Sequence, residues 1–411
     1  MIVIFLANFI IFVKSYPLIP GFVGNEWEVD GEVKIGVLYS VHSDHSSGNE
    51  ALSCQGKVSP SGVLAAELAE LRIKNINKDP NFLPNVTLGL LYLDTCGGVN
   101  GAVARLNHFM SDKCPTRTTE KKVVGIVGPF SSAQSIPAAA LASQFKIPLL
   151  ATFATSDELS DKARFEYFSR LAPPDSFITQ AMVSVMVRFK WSYIQLLYSE
   201  GSYGEIAAKS IEKIARANGI CIGNSVRLSS DYSENYITIA EKILENRNAK
   251  VVVLIMSHKF REDLFTALYQ VGSKKSDFIF FSADSYRRFP GFEQIQHGTL
   301  HFFYKVGRDT SFEDLIKTKQ RSESDHAWIK SLWEEAGKCN FSTTCSKYKS
   351  LGDINSLTSR DFKFSLKVGD GVEVYARALH SLISENCPEA FLNKSLSKVV
   401  NHIFWTSFDL V

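Results

Sequence analysis

The hydroxyl and carboxylate groups of this chain concentrate in a few short turns. After the apolar run Val123–Val127 come Gly128-Pro129-Phe130-Ser131-Ser132-Ala133-Gln134. Ile147–Thr152 then runs into Phe153-Ala154-Thr155-Ser156-Asp157-Glu158-Leu159-Ser160-Asp161. An apolar run broken by Gly-Pro and reopened by serines reads as strand, turn and helix start. A helix start presents unsatisfied N–H groups and partial positive charge, which beside serine and threonine hydroxyls suits a ligand carboxylate. The local alternative is that Thr155 and Glu158 form a capping box and Ser132 only caps its helix. Tyr203, in the turn Ser199–Glu205, and Asp284, just past the apolar run Phe278–Ser282, complete the set. Enzyme chemistry finds little support. The chain has no G-x-S-x-G, H-E-x-x-H or G-x-x-x-x-G-K-[ST], and no histidine pairs with a plausible nucleophile.

The elements that must carry these groups alternate. Strands are predicted at Val33–Val41, Val86–Leu93, Val123–Val127 and Ile147–Thr152. Helices are predicted from Ser59-Pro60 to about Asn77, near Ala102–Met110 and from Ser132 to about Phe145. After Pro173-Pro174-Asp175 the pattern restarts. A helix is expected over Phe177–Phe189, a strand over Trp191–Tyr198 and a helix ending near Asn218-Gly219. Further strands are expected at Val251–Met256 and Phe278–Ser282. Strand then helix, repeated, means parallel sheets flanked by helices, in two units joined around Leu171–Asp175 and Phe302–Val306. Ligands of such sheets bind beyond the carboxyl ends of strands, where Ser132, Thr155, Tyr203 and Asp284 all fall.

Composition agrees with a folded, exported protein. The 411 residues suffice for two domains, and 45% apolar with 21% charged residues can bury a full core. Lys plus Arg (45) nearly balance Asp plus Glu (43), leaving +2 with no basic stripe, so nucleic acid is not an expected partner. Ile2–Val13 is apolar but too short to span a bilayer, and reads as a signal peptide over residues 1–15. Seven cysteines (Cys54, Cys96, Cys114, Cys221, Cys339, Cys345, Cys387) include no C-x-x-C. The polar cluster His42, Asp44 and His45 gives no metal set, and no metal or cofactor is expected. Asn85, Asn340 and Asn393 open glycosylation sequons.

Two long strings go further: Ala154–Ser176 (A-T-S-D-E-L-S-D-K-A-R-F-E-Y-F-S-R-L-A-P-P-D-S) and Trp191–Glu205 (W-S-Y-I-Q-L-L-Y-S-E-G-S-Y-G-E). Together with L-P-N-V-T-L-G and G-P-F-S-S they resemble the extracellular ligand-binding domain of metabotropic glutamate receptors, in class C of the G-protein-coupled receptors. The resemblance runs from about Asp30 to Asp284 and more loosely to Phe404. It implies an α/β fold, a bilobed clamshell of the type I periplasmic-binding-protein kind that closes over an amino acid. Lobe 1 would be residues 30–172 and 306–411, lobe 2 residues 173–305. It further implies that Ser132 and the turn Phe153–Thr155 hold the α-carboxylate. Thr155, Asp175 and Asp284 would hold the α-ammonium, and Tyr203 would lie against the ligand.

The distal end departs from the family. Where family members that bind glutamate carry an arginine in G-x-x-R-x-E-A, this chain has Gly62-Val-Leu-Ala-Ala-Glu-Leu, with Ala65 at that place. Lys367 is the nearest match to a second distal cation, though one register puts Leu366 there and another Lys363; Arg287 and Arg288 are rim candidates. Unless Lys367 or Arg288 compensates, the expectation is a preference for a neutral or differently charged side chain over that of glutamate, with Ser61 offering only a hydroxyl. By resemblance, Cys54–Cys96 and Cys339–Cys345 are disulfides and Cys114 makes the intermolecular disulfide of a homodimer through lobe 1. Cys221 would pair with a downstream cysteine-rich domain, and Cys387 lacks its usual neighbour. The expected function is an amino-acid-sensing ectodomain, here without its cysteine-rich and seven-helix domains, and therefore a fragment. Heterotrimeric G protein would be reached only through the missing membrane domain. The protein would face the outside of the plasma membrane, or be secreted if the chain ends at Val411. The alternatives are a secreted decoy or non-signalling dimer partner, and a transporter-type solute-binding protein.

Overall fold

The structure, a computed structural model, describes residues 26–42, 54, 56–111, 123–229, 236–274, 277–283, 289–324, 326–354, 357–386 and 388–391. Residues 1–15, Asp44, His45, Cys114, Asp284, Arg287, Arg288, Cys387 and Asn393 lie outside them. Two compact units emerge, Met1–Ile126 with Arg308–Val411, and Val127–Gly307.

In the first unit the strands are β1 (Glu26–Val29), β2 (Val33–Tyr39), β3 (Leu88–Asp94) and β4 (Val123–Val127), in the order β1-β3-β2-β4. All seven residues of β2 and of β3 are buried, as strands covered on both faces require, and both runs are apolar apart from Lys34 and the terminal Asp94. β1 is the antiparallel exception, with Glu26 opposite Leu93. It lies ahead of the first strand expected from sequence, because in Glu-Trp-Glu-Val only Trp27 is buried and the signal of a covered strand is a single residue. Trp27 is what fixes it: the ring stacks on His326 at 3.7 Å and Nε1 donates to Glu70 Oε2 at 2.8 Å.

Helix α1 (Pro60–Lys78) opens with proline at its first position and buries Val63, Leu64, Ala65, Leu68, Ala69 and Ile73. α2 (Val99–Ser111) follows β3. Two ion pairs tie α1 to the segment after Arg308, Lys319 to Glu67 at 3.0 Å and Arg72 to Asp309 at 3.0 Å. Burial holds the Glu67 carboxyl above its usual range despite Lys319. The expected disulfides Cys54–Cys96 and Cys339–Cys345 are both present.

The second unit begins with α3 (Ser132–Gln144) and the parallel pair β5 (Leu149–Ala151) and β6 (Phe168–Arg170). Then come α4 (Asp175–Arg188), β7 (Tyr193–Ser199), α5 (Ser202–Ala217) and β8 (Cys221–Leu228). α6 (Tyr236–Glu245), β9 (Val251–Ile255), α7 (His258–Gln270), β10 (Ile279–Ser282) and β11 (Leu300–His301) complete it. The last five strands form one parallel sheet, β11-β10-β9-β7-β8. β9 shows why helices cover both faces. Val251, Val253 and Ile255 join Met182 and Ile211 in one core, while Val252 and Leu254 join Ile243 and Leu268 in another. β8 escapes a sequence reading because it is an edge strand whose residues are half-buried or exposed along most of its length. Back in the first unit, α8 (Thr310–Thr318), α9 (Ala327–Gly337) and the 28-residue α10 (Ser359–Asn386) end the described fold, and α10 packs along α1. The fold is thus α/β throughout, two parallel-sheet units flanked by helices, of the type I periplasmic-binding-protein kind.

Candidate functional site

Ser132, Phe153, Thr155, Asp175 and Tyr203 all lie in the second unit. The two turns that carry the first three are bonded to each other. Gly128 N donates to Leu150 O at 2.8 Å and Thr152 N to Pro129 O at 3.3 Å. Ser132 Oγ accepts from Ser156 N at 3.1 Å. That hydroxyl still carries a proton to donate, and it sits at the start of α3, where partial positive charge accumulates.

The local capping alternative is not what forms. Ser131, not Ser132, caps α3, its side chain accepting from Gln134 N at 3.4 Å. No capping box joins Thr155 to Glu158: the single turn Asp157–Ser160 is capped by Ser156, whose Oγ accepts from Glu158 N at 3.3 Å. Thr155 is thereby released, and its hydroxyl hydrogen-bonds the Asp175 carboxylate.

Asp175 is the chemically loaded residue. It is 3% exposed, and its backbone N–H donates to Thr155 O at 2.8 Å. Its Oδ2 is buried with no hydrogen-bond partner among the described residues. Burial raises its pKa to about 7; the Thr155 hydroxyl opposes this, Asp157 adds to it and Arg170 opposes it again. An acceptor stranded in this way costs about 1–3 kcal/mol, which a bound cation would recover.

Two groups that sequence reading missed hold these turns in place. Arg170, at the end of β6, donates to Ser156 O at 2.8 Å, to Ala154 O at 3.3 Å and to Ser160 Oγ at 2.5 Å. Ser202, at the start of α5, meets Ser156 Oγ at 2.7 Å and donates to Glu158 Oε2 at 2.9 Å, while Arg164 engages Glu158 Oε1 at 3.0 Å. The turn into α5 needs its glycines. Gly201 has φ +89°, and a Cβ on Gly204 would stand 1.9 Å from Ser199 O. Tyr203 follows in the first turn of α5, half-buried against the core that contains Met182 and Ile211.

A row of rings runs beside the hydroxyls. Phe153 is 5.2 Å from Phe130 and 6.3 Å from Phe303, and Phe303 is 5.2 Å from Tyr304. Neither Phe130 nor Phe303 stands out in the sequence. One lies inside G-P-F-S-S, and the other follows β11 in a stretch with no pattern.

The remaining candidates fall in the first unit. Lys367 is on α10, with Nζ 3.4 Å from Asp370 Oδ2; Lys363 is exposed and Leu366 buried. Ala65 is fully buried on α1. His42 Nδ1 lies 2.5 Å from Asp94 Oδ2, whose Oδ1 accepts from Val41 N and Cys96 N. Among the described residues Cys54, Asp94 and Cys96 come close enough together to hold a metal ion, but both sulfurs are consumed in the disulfide. Asn85 and Asn340 are exposed, and Cys221 is exposed and free. No helix among the described residues is long and apolar enough to cross a membrane.

Residues 64–408 match the family described as the receptor family ligand binding region. Metabotropic glutamate receptor 8 of Rattus norvegicus is 29% identical over 388 residues, 88% of this chain and 42% of that receptor. Metabotropic glutamate receptor 4 of Mus musculus is 26% identical over 395 residues, 89% of this chain and 43% of the receptor. The probable metabotropic glutamate receptor mgl-1 of Caenorhabditis elegans is 27% identical over 401 residues, 88% and 40%. The chain thus spans less than half the length of these relatives, which are receptors and not enzymes. It belongs to the receptor ligand-binding-region family, and within it to the ligand-binding domains of class C G-protein-coupled receptors.

Proposed function

We propose that this chain is the amino-acid-sensing ectodomain of a receptor similar to the metabotropic glutamate receptors, and that it grips the α-amino-acid headgroup with residues of its second unit. The observation that carries this reading is the buried, unpartnered Oδ2 of Asp175 beside the Thr155 hydroxyl, in a turn whose next residue, Ser156, donates its N–H to the Ser132 hydroxyl. A zwitterion needs an anion site of hydroxyls and helix N–H groups next to an acceptor for its ammonium. Ser132 and the turn at Phe153–Thr155 supply the first, Thr155 and Asp175 the second. Asp284 is assigned to the ammonium and Tyr203 to packing against the ligand. Lys367 is retained as the distal cation on resemblance alone. Lobes at 30–172 with 306–411 and at 173–305 fit the observation that the strands of residues 193–301 make a sheet of their own. Cys114 would link two copies through lobe 1, and G-protein coupling would run through parts of a full-length receptor beyond the matched region.

Titration calorimetry of the secreted chain against a panel of L-amino acids tests this. Micromolar to millimolar binding should be abolished by Asp175→Asn and weakened tenfold or more by Thr155→Ala, about the cost of a lost hydrogen bond to a charged group. Binding that survives both substitutions together sinks the headgroup assignment.

A further inference from the structure

We propose that the amino acid this site takes has an apolar or aromatic side chain, held against the Phe153 ring between Phe130 and Phe303. This rests on the headgroup reading above and supplies the side chain that it leaves open. Phe153 precedes Thr155 by two residues and Phe130 precedes Ser132 by two, so rings and hydroxyls come from the same two turns. The Phe153 and Phe303 planes are inclined by only 19°, and Phe130 is tilted 46° to Phe153, which makes an apolar wall of three rings. Tyr304 continues the row at the other side of Phe303, and Arg170 bonds the carbonyl of Ala154, the residue between Phe153 and Thr155.

Charge in the same turns works against a second carboxylate. The cations between Phe153 and Asp175 are committed: Arg170 to the carbonyls of Ala154 and Ser156, Arg164 to Glu158, and Lys162 to Phe168 O. Asp157 adds negative charge there, and the Glu158–Arg164 pair offers a second carboxylate no free cation. A glutamate side chain would meet rings and like charges, whereas an aromatic or branched aliphatic one would bury its area on them.

Calorimetry of the intact secreted chain with L-phenylalanine, L-leucine, L-alanine and L-glutamate decides the matter. Phenylalanine and leucine should bind at least tenfold more tightly than glutamate, with alanine between or below. Phe130→Leu and Phe303→Leu, which flank Phe153 and carry no headgroup contact, should weaken phenylalanine about five- to tenfold and leave alanine nearly unchanged, the scale of one aromatic pair. Glutamate binding tighter than phenylalanine and leucine overturns the proposal while leaving the headgroup reading intact. So does phenylalanine affinity that is unmoved in variants still binding alanine. If none of the four binds, the headgroup reading itself fails and the proposal falls with it.

Discussion

At the scale of single residues the site turns on one acid. The Asp175 carboxyl, ordinarily near 3.8, is held at about 7, chiefly because burial disfavours its charged form. A folded-state pKa above the unfolded one stabilises the fold below the unfolded value, and that contribution is lost as pH rises through the folded one. Between pH 4 and pH 8 the ligand-free protein should therefore lose up to about 4 kcal/mol from this group, a slope that Asp175→Asn removes. Ligand binding runs the other way, because a proton on Asp175 competes with the ammonium. Affinity should rise about tenfold from pH 6 to pH 8. Calorimetry at four pH values reads this directly, and a flat profile in the parent, matched by Asp175→Asn, would remove Asp175 from the headgroup site. Why the sequence could not single out Asp175 is plain. Asp157, Glu158, Asp161 and Asp175 are chemically alike on paper. Only packing separates the one that is 3% exposed, and its place in the reading came from resemblance.

At the scale of elements, what was legible is what periodicity and punctuation encode. β4 matches its expected range residue for residue, and α1 and α3 fall within a residue or two of theirs, because fully apolar runs and Gly-Pro or Ser-Pro breaks leave few options. The strands that escaped, β1, β6, β8 and β11, lie at sheet edges, where many side chains face solvent and the signal resembles a loop. Caps slipped by one residue, Ser131 for Ser132 and Ser156 for Thr155, and that slip frees the two hydroxyls the site uses. The links from Ser202 to Ser156 and Glu158 span 46 and 44 residues, so no local rule reaches them. They should carry stability. Ser202→Ala removes a hydroxyl that donates to Glu158 and accepts from Ser156 and should cost about 1–2 kcal/mol, a fall of roughly 2–6 °C in melting temperature. Circular dichroism melts that coincide with the parent within a degree would show that the α5 start is held by other contacts. Ala65 yields the opposite lesson. Its absent guanidinium was legible, but its complete burial on α1 was not. Ala65→Arg should therefore lower stability by several kcal/mol before it alters selectivity, as overpacking and an unpaired buried charge both destabilise.

Over the whole molecule, covalent ties and ligand chemistry are divided between the two units. Both disulfides join residues of the first unit, while every headgroup candidate among the described residues lies in the second. A disulfide stabilises by restricting the unfolded chain, and more so for a longer loop. With separations of 42 and 6 residues, Cys54–Cys96 should contribute about 4 kcal/mol and Cys339–Cys345 about 2 kcal/mol. A bound amino acid stabilises by mass action instead, about 2.7 kcal/mol at a hundredfold excess over its Kd. The two perturbations should therefore leave different imprints on amide hydrogen exchange. Replacing Cys54 and Cys96 together by serine should speed exchange in β2 and β3, with the smallest change in β9 and β10. Saturating ligand should slow exchange in the turns at 128–132 and 153–160 and at the start of α4. Equal acceleration in both sheets would mean that the second unit depends on the Cys54–Cys96 tie as much as the first does. Ligand protection confined to the first unit would place the amino acid on residues other than Ser132, Thr155 and Asp175.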